Sequence, residues 1–205
     1  MDTSARAPQG DWPADARAPQ LALAELDHDL ELLARARRGD GPAFARLLAP
    51  HLDRAFRLAA RLTRDRALAE DAVQEALVIV HRDLQSFRAG SSLRAFLCGT
   101  TMRAASTLMR SARRRTAREQ VAAVPSGFLG PEAAVQALEL QEALDQALAA
   151  LPERRRQAVL LRLDADLSHA DIGAVLGTTQ AAARQLVYEA QKALRLALSG
   201  REEAP

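Results

Sequence analysis

The feature that most constrains this chain is a break in its helical pattern between Thr116 and Pro131. Apolar residues recur at helical spacing on both sides of the break, but two prolines, two glycines and a serine accumulate within Pro125–Pro131. A stretch of this composition is typical of a flexible linker at a domain boundary. The sequence therefore predicts two domains, residues 28–115 and 132–198, joined by a linker over residues 116–131.

Composition predicts that both domains are all-α. Aromatic residues make up only 3% of the 205 residues, whereas hydrophobic residues make up 48%, so Leu, Ala and Val must fill the cores. A chain rich in Ala, Leu and Arg favours helix over strand. Residues 1–27 are acidic and lack a sustained period, which predicts a disordered tail, and residues 199–205 form a second tail.

The N-terminal domain is predicted to be a bundle of four helices. The first ends at Gly39, the second runs to about Thr63, the third covers Leu68–Phe87 after a cap at Asp65, and the fourth begins at Ser92. The third helix has an apolar face, and its opposite face carries Asp71, Gln74, Glu75 and Val78. From spacing alone this face is either a solvated surface or a docking surface.

The C-terminal domain carries the pattern of a helix-turn-helix. A helix opened by Pro152 precedes a short helix that starts in Ser168–Asp171 and stops at Gly177, and a longer helix follows. In such a motif the second helix offers its first residues to base edges in the major groove. The exposed positions here are Thr179, Gln180, Arg184, Gln185 and Tyr188. An ordinary helical hairpin with a polar face is the alternative.

Two arginine runs predict contacts with phosphate. One lies within Arg110–Arg118, and it exceeds what a helix dipole requires; the other is Arg154–Arg156 at the start of the helix after Pro152. The alternative for the first run is a basic helix end that complements the dipole, and the alternative for Arg154–Arg156 is a solvated cationic face.

Catalytic and metal-binding patterns are missing from the sequence. The four histidines lack metal-ligand spacing, no glycine-rich phosphate loop or nucleophile elbow is present, and the single Cys98 is predicted to be a buried structural thiol. We therefore expect neither an enzyme nor a bound cofactor or metal. No apolar run is long enough to span a membrane and the N-terminus lacks a secretory layout, which predicts a cytoplasmic protein without membrane insertion.

Two segments resemble a known family. LTRDRALAEDAVQEALVIVHRDLQSF, followed by SSLRAFL, resembles the second conserved region of bacterial sigma factors of the extracytoplasmic-function type. LPERRRQAVLLRLDADLSHADIGAVLGTTQAAARQLVYEAQKALR resembles their fourth region. The resemblance covers about residues 28–198, in the family's order and around a linker of suitable length. It implies a transcription initiation factor without catalytic activity, with a sigma-2-type bundle and a sigma-4-type helix-turn-helix.

The resemblance also implies partners and sites. The partners are core RNA polymerase and promoter DNA, and an anti-sigma factor is left open as a third. The expected polymerase-binding residues, which would dock on the clamp helices of the largest subunit, are Asp71, Gln74, Glu75 and Val78. Those expected at the unwound −10 element are Ser86, Arg88, Ser91, Arg94, Arg103, Arg110, Arg113 and Arg114. Those expected at the −35 duplex are Arg154, Arg155, Thr179, Gln180, Arg184, Gln185, Tyr188 and Lys192.

The chain departs from the family's pattern in the recognition helix. Leu186, Tyr188, Glu189 and Gln191 stand where Arg, His, Arg and Arg are common. Glu189 facing phosphate is expected to lower DNA affinity by like-charge repulsion. These departures leave a second function open, a sigma-like interaction protein that binds polymerase or a regulator but reads promoters weakly.

Overall fold

The computed structural model describes residues 29–87, 92–119 and 132–199, and these residues are helical apart from turns and short loops. The chain divides into two compact units, Met1–Leu47 and Leu48–Pro205. Helix α1 covers residues 29–37. The other helices are α2 (Gly41–Thr63), α3 (Arg66–Asp83), α4 (Leu93–Glu119), α5 (Glu132–Ala150), α6 (Glu153–Leu163), α7 (His169–Leu176) and α8 (Gln180–Ser199). The expected all-α fold is confirmed.

The first unit turns sharply between α1 and α2. The helix ends as predicted at Gly39, whose φ of 90° lies in the region that glycine adopts without strain. The Asp40 carboxylate then accepts a hydrogen bond from the Ala43 N–H (3.0 Å) and another from Arg35 Nε (2.9 Å). These two donors lower the pKa of Asp40. Asp40 therefore caps α2 while tying it to the last turn of α1.

An alanine core holds α2, α3 and α4 together in the second unit. Its fully buried members are Ala59, Ala69, Ala72, Ala104 and Ala105, and larger partly buried side chains surround them. Side chains this small let helix backbones approach closely, which explains how a core forms with so few aromatic residues. The sequence pattern assigned the buried face of α3 mainly to its larger residues, and three of these, Leu68, Val73 and Leu77, are only partly buried.

The C-terminal helices form the predicted helix-turn-helix, and α8 packs against α5, α6 and α7. The Ser168 hydroxyl accepts from the Asp171 N–H (3.1 Å) and donates to the Asp171 carboxylate (2.8 Å), so the predicted cap of α7 is present. Gly177 ends α7 in the left-handed region with a φ of 62°. The Thr179 hydroxyl accepts from the Ala182 N–H (3.1 Å) and caps α8.

The end of α4 differs from the expectation. The helix continues to Glu119, so the first four residues of the predicted linker are helical. The reason is local, since Ala and Arg favour helix and the first proline after α4 is Pro125. The rest of the linker, residues 1–27, residues 200–205 and the expected DNA contacts Arg88 and Ser91 lie outside the described residues, whereas Ser199 of the predicted second tail ends α8. None of the described helices is both long and apolar enough to cross a membrane.

Candidate polymerase and nucleic-acid interfaces

The outer face of α3 presents an acidic surface around one apolar residue. Asp71, Gln74 and Glu75 are exposed, and Val78 beside them is 70% exposed. The helix is fixed from its N-terminus by Asp65, whose carboxylate accepts from the Leu68 N–H at 3.0 Å. The buried face of α3 packs on α4. The four side chains are therefore held on a rigid support with nothing of the described chain covering them, as a docking surface requires.

A cleft of about 540 Å³ lies where the chain passes from α3 to α4. The rings of Phe87 and Phe96 stack in its wall with centroids 5.5 Å apart, and Ser86, Ser92 and Arg103 also line it. Stacked aromatic rings beside an arginine and hydroxyl groups suit unpaired bases and their backbone. The expected −10 residues Ser86 and Arg103 come together here, while Phe87 and Phe96 were not among the predicted contacts.

The arginines of α4 share one local arrangement. Arg103 donates to the Thr100 hydroxyl (3.1 Å), Arg110 to the Thr107 hydroxyl (3.2 Å) and Arg114 to the Ser111 hydroxyl (3.4 Å). Each guanidinium thus leans back one turn along an exposed side of the helix. Arg113 is exposed as well. The hydroxyls orient the arginines without neutralising them, which leaves their charge free for phosphate. Thr101 and Met102 of the same helix are buried and face the core.

The recognition helix α8 carries one exposed polar stripe. Gln180, Arg184, Tyr188 and Lys192 follow each other at intervals of four residues, and all four are exposed. Thr179, at the start of the helix, and Gln185, beside the stripe, are exposed too. The structure therefore brings together every predicted base-facing position of the helix-turn-helix.

Glu189 is neutralised within the domain. Its carboxylate lies 2.6 Å from Arg155 Nη2 and accepts a second bond from Gln185 Nε2 at 2.8 Å. The bond from Gln185 and the nearby Arg155 lower the pKa of Glu189. Arg154 in turn donates to the Leu176 carbonyl at the end of α7 (2.8 Å). Both predicted phosphate contacts, Arg154 and Arg155, therefore also brace the helix-turn-helix.

An ionic network that the sequence reasoning missed joins α2 and α4 to the C-terminal helices. Arg61 Nε lies 3.3 Å from the Asp164 carboxylate, and Arg61 Nη1 lies 3.7 Å from Asp145. The loop between α6 and α7 brings Asp166 to Arg94 Nη1 (3.1 Å) and Arg54 Nη2 (3.8 Å). The arginine spacing along and just after α2, at positions 54, 57, 61 and 64, is a one-face signal that could have indicated such a surface.

Comparison with known proteins places these surfaces in a family. Residues 47–115 match the family described as Sigma-70 region 2, and residues 141–194 match Sigma-70, region 4. The RNA polymerase sigma-H factor of Pseudomonas aeruginosa is 28% identical over 182 residues, covering 84% of this chain and 94% of that protein. The ECF RNA polymerase sigma-E factor of Escherichia coli strain K12 is 27% identical over 182 residues, covering 84% of this chain and 95% of that protein.

A solved structure shares the fold. It is the sigma factor RpoE of Bartonella quintana, in complex with the anti-sigma factor NepR, with a TM-score of 0.59 and 23% identity over 76% of this chain and 96% of that one. The class of the protein follows from two family regions in the expected order and from relatives that match over almost their whole length. The chain belongs to the sigma-70 family of RNA polymerase sigma factors, in its extracytoplasmic-function group.

Proposed function

We propose that this sigma factor docks on core RNA polymerase through the exposed α3 face formed by Asp71, Gln74, Glu75 and Val78. The single observation that carries the proposal is the exposure of that face on a helix whose other side packs against α4. An acidic face steers towards a basic partner helix, and an apolar Val78 at its centre adds burial on contact. The factor contributes recognition, while catalysis stays with the polymerase, and we propose that it acts in the cytoplasm.

A charge-reversed variant tests the docking face. We expect Asp71→Arg with Glu75→Arg to abolish retention of the protein on immobilised core polymerase, because two attractive contacts become repulsive. Asp29→Arg with Glu31→Arg is the matched control, since both residues are exposed and the change in charge is the same. Circular dichroism of both variants checks that they remain folded. Retention of the first variant at the level of the control would refute the assignment.

We infer that the cleft at Phe87 and Phe96 holds unpaired bases of the −10 element, with the arginines of α4 on the adjoining phosphates. The stacked rings, the Arg103 side chain and the hydroxyl-oriented Arg110 and Arg114 support this. Phe96→Ala is expected to lower affinity for single-stranded DNA by about tenfold, the value of one base stacked on an aromatic ring. An unchanged affinity would place the strand elsewhere.

The polar stripe of α8 is proposed to read the −35 duplex. Arg184 and Gln180 are the side-chain types that bind guanine and adenine in the major groove, and Lys192 meets the backbone. Because Arg155 already neutralises Glu189, the expected repulsion from phosphate is reduced. An anti-sigma factor is proposed as a third partner, a proposal supported by the likeness in fold to a sigma factor described with one.

Transcription in vitro tests the whole assignment. The purified protein is mixed with core polymerase and a library of genomic promoter fragments, and the 5′ ends of the transcripts are sequenced. Defined start sites that share an upstream sequence are the expected result. Retention on polymerase without transcripts would favour the sigma-like interaction protein, and no retention would overturn both functions.

A further inference from the structure

The loop between α6 and α7 places a carboxylate between two arginines of different helices. Asp166 Oδ2 accepts from Arg94 Nη1 at 3.1 Å, and Arg54 Nη2 lies 3.8 Å from the same oxygen. Arg94 stands in the first turn of α4 and was expected at the −10 element, whereas Arg54 on α2 belongs to no predicted site. Two guanidinium groups converging on one anionic oxygen form the arrangement that also binds phosphate.

The loop is built to present this carboxylate. Asp166 has a φ of 51°, in the left-handed region that L-residues other than glycine rarely adopt, and it is held there from both sides. The Leu167 N–H donates to the Leu161 carbonyl (3.0 Å), and Arg162 donates to the Leu167 carbonyl (2.9 Å). On the other side of Asp166, Asp164 is buried beside Arg61. A backbone conformation of this kind persists only where its surroundings impose it, and it is typical of functional loops.

A close helix contact accompanies the ion pair. A Cβ atom added to the buried Gly99 of α4 would lie 3.0 Å and 3.1 Å from the two Val175 methyl groups of α7. The same helix α7 supplies Ala170, Asp171 and Ala174 to the wall of the cleft that holds Phe87 and Phe96. The helix that packs closely on α4 therefore also forms one wall of the cleft.

We propose that Arg54 and Arg94 form a binding site for a backbone phosphate of single-stranded promoter DNA, and that Asp166 fills this site in the free protein. The proposal rests on the proposed function of the cleft and adds Arg54 to it. The C-terminal domain then closes over the −10 surface by using a carboxylate in place of the phosphate. Since Asp166 is solvent-exposed, the pair is weak and screened by salt, so a DNA strand displaces it readily.

Binding of a fluorescein-labelled oligothymidylate of twelve nucleotides tests the proposal without polymerase. Asp166→Asn keeps a side chain suited to the left-handed region but removes the competing charge. We expect it to raise affinity at least about threefold, because the apparent affinity scales with the fraction of protein whose site is free. Asp29→Asn, which removes one exposed carboxylate in the other compact unit, is the matched control and should change affinity little.

Two further variants separate a specific site from a general charge effect. In an Arg54→Gln background, Asp166→Asn should raise the affinity less, because part of the site is gone. Gly99→Ala should also raise affinity, since its methyl group opposes the approach of Val175 without altering any charge. A gain from Asp166→Asn that equals that of Asp29→Asn, or that is as large for a twelve-base-pair duplex, would overturn the proposal. If the unaltered protein were not retained on core polymerase, that result would overturn the proposed function and leave these DNA measurements intact.

Discussion

Gly173 sits where the helix-turn-helix has no room for a side chain. A Cβ atom at this position would lie 2.9 Å from the Thr178 carbonyl oxygen, 3.2 Å from the Thr179 carbonyl carbon and 3.3 Å from the Gln180 nitrogen. All three atoms are backbone, so no side chain can rotate away. The Thr178 N–H moreover donates to the Gly173 carbonyl at 2.8 Å, which ties the turn to α7 at the same point. Gly173→Ala must therefore move the turn itself.

Two opposing effects set the change in the free energy of unfolding that Gly173→Ala causes. Overpacking a well-packed site costs about 1–3 kcal/mol. Alanine in a helix interior stabilises the helix by about 1 kcal/mol relative to glycine. The net loss is therefore about 1 kcal/mol, which for a compact unit the size of Leu48–Pro205 lowers Tm by about 2–4 °C. The movement also displaces Gln180, the first residue of α8, so affinity for duplex DNA is expected to fall together with stability.

Thermal unfolding followed by circular dichroism at 222 nm measures the change. Gly41→Ala is the control, because a Cβ at Gly41 meets no atom within 4 Å, and its Tm should stay the same or rise. A Gly173→Ala variant as stable as the parent protein would refute the argument, since it would mean that the turn yields without cost.

Three further predictions concern the stability of the fold and the burial of two of its ionisable side chains. Asp65→Ala removes the cap that accepts from the Leu68 N–H and should lower the free energy of unfolding by about 1 kcal/mol in urea titrations, and an unchanged midpoint would contradict the cap. Burial raises the pKa of the Cys98 thiol to about 11, so iodoacetamide at pH 8 should label it only in denaturant, and rapid labelling of the folded protein would refute its burial. Burial also raises the pKa of Asp164 despite the nearby Arg61, so the contribution of Asp164 to stability is greatest below its unfolded pKa near 3.8 and is lost as the pH rises through the folded pKa. The free energy of unfolding of Asp164→Asn should therefore increase relative to that of the parent protein over this pH rise. A difference in free energy that does not depend on pH would refute this.

Local signals explain which parts of the fold the sequence could predict. The caps at Asp65 and Ser168 and the end of α7 at Gly177 involve partners within a few residues, so their chemistry is visible in the chain itself. The exposed face of α3 was equally predictable, because helical period alone separates Asp71 and Glu75 from the core. Burial of Cys98 was predicted correctly from its apolar neighbours.

Long-range contacts explain what the sequence could not predict. Arg94 and Asp166 are 72 positions apart, and neither residue type nor spacing pairs them. The alanine core was not predicted for a different reason. Helical patterns give most weight to large apolar residues, whereas Ala69 and Ala72 are buried because α3 and α4 approach closely. The stacked Phe87 and Phe96 likewise lie on either side of a segment that interrupts the helical pattern.

Glu189 shows how tertiary pairing reverses a conclusion drawn from charge alone. In the sequence it is an acid among residues that face phosphate, and repulsion is the natural expectation. In the structure Arg155 and Gln185 share its two carboxylate oxygens, so the acid fixes α6 against α8 and holds Arg155 in place. The cost to DNA binding is then the loss of one free arginine rather than a repelling charge. We therefore expect attraction to the duplex to depend on Arg184 and Lys192, which stay exposed on the polar stripe of α8.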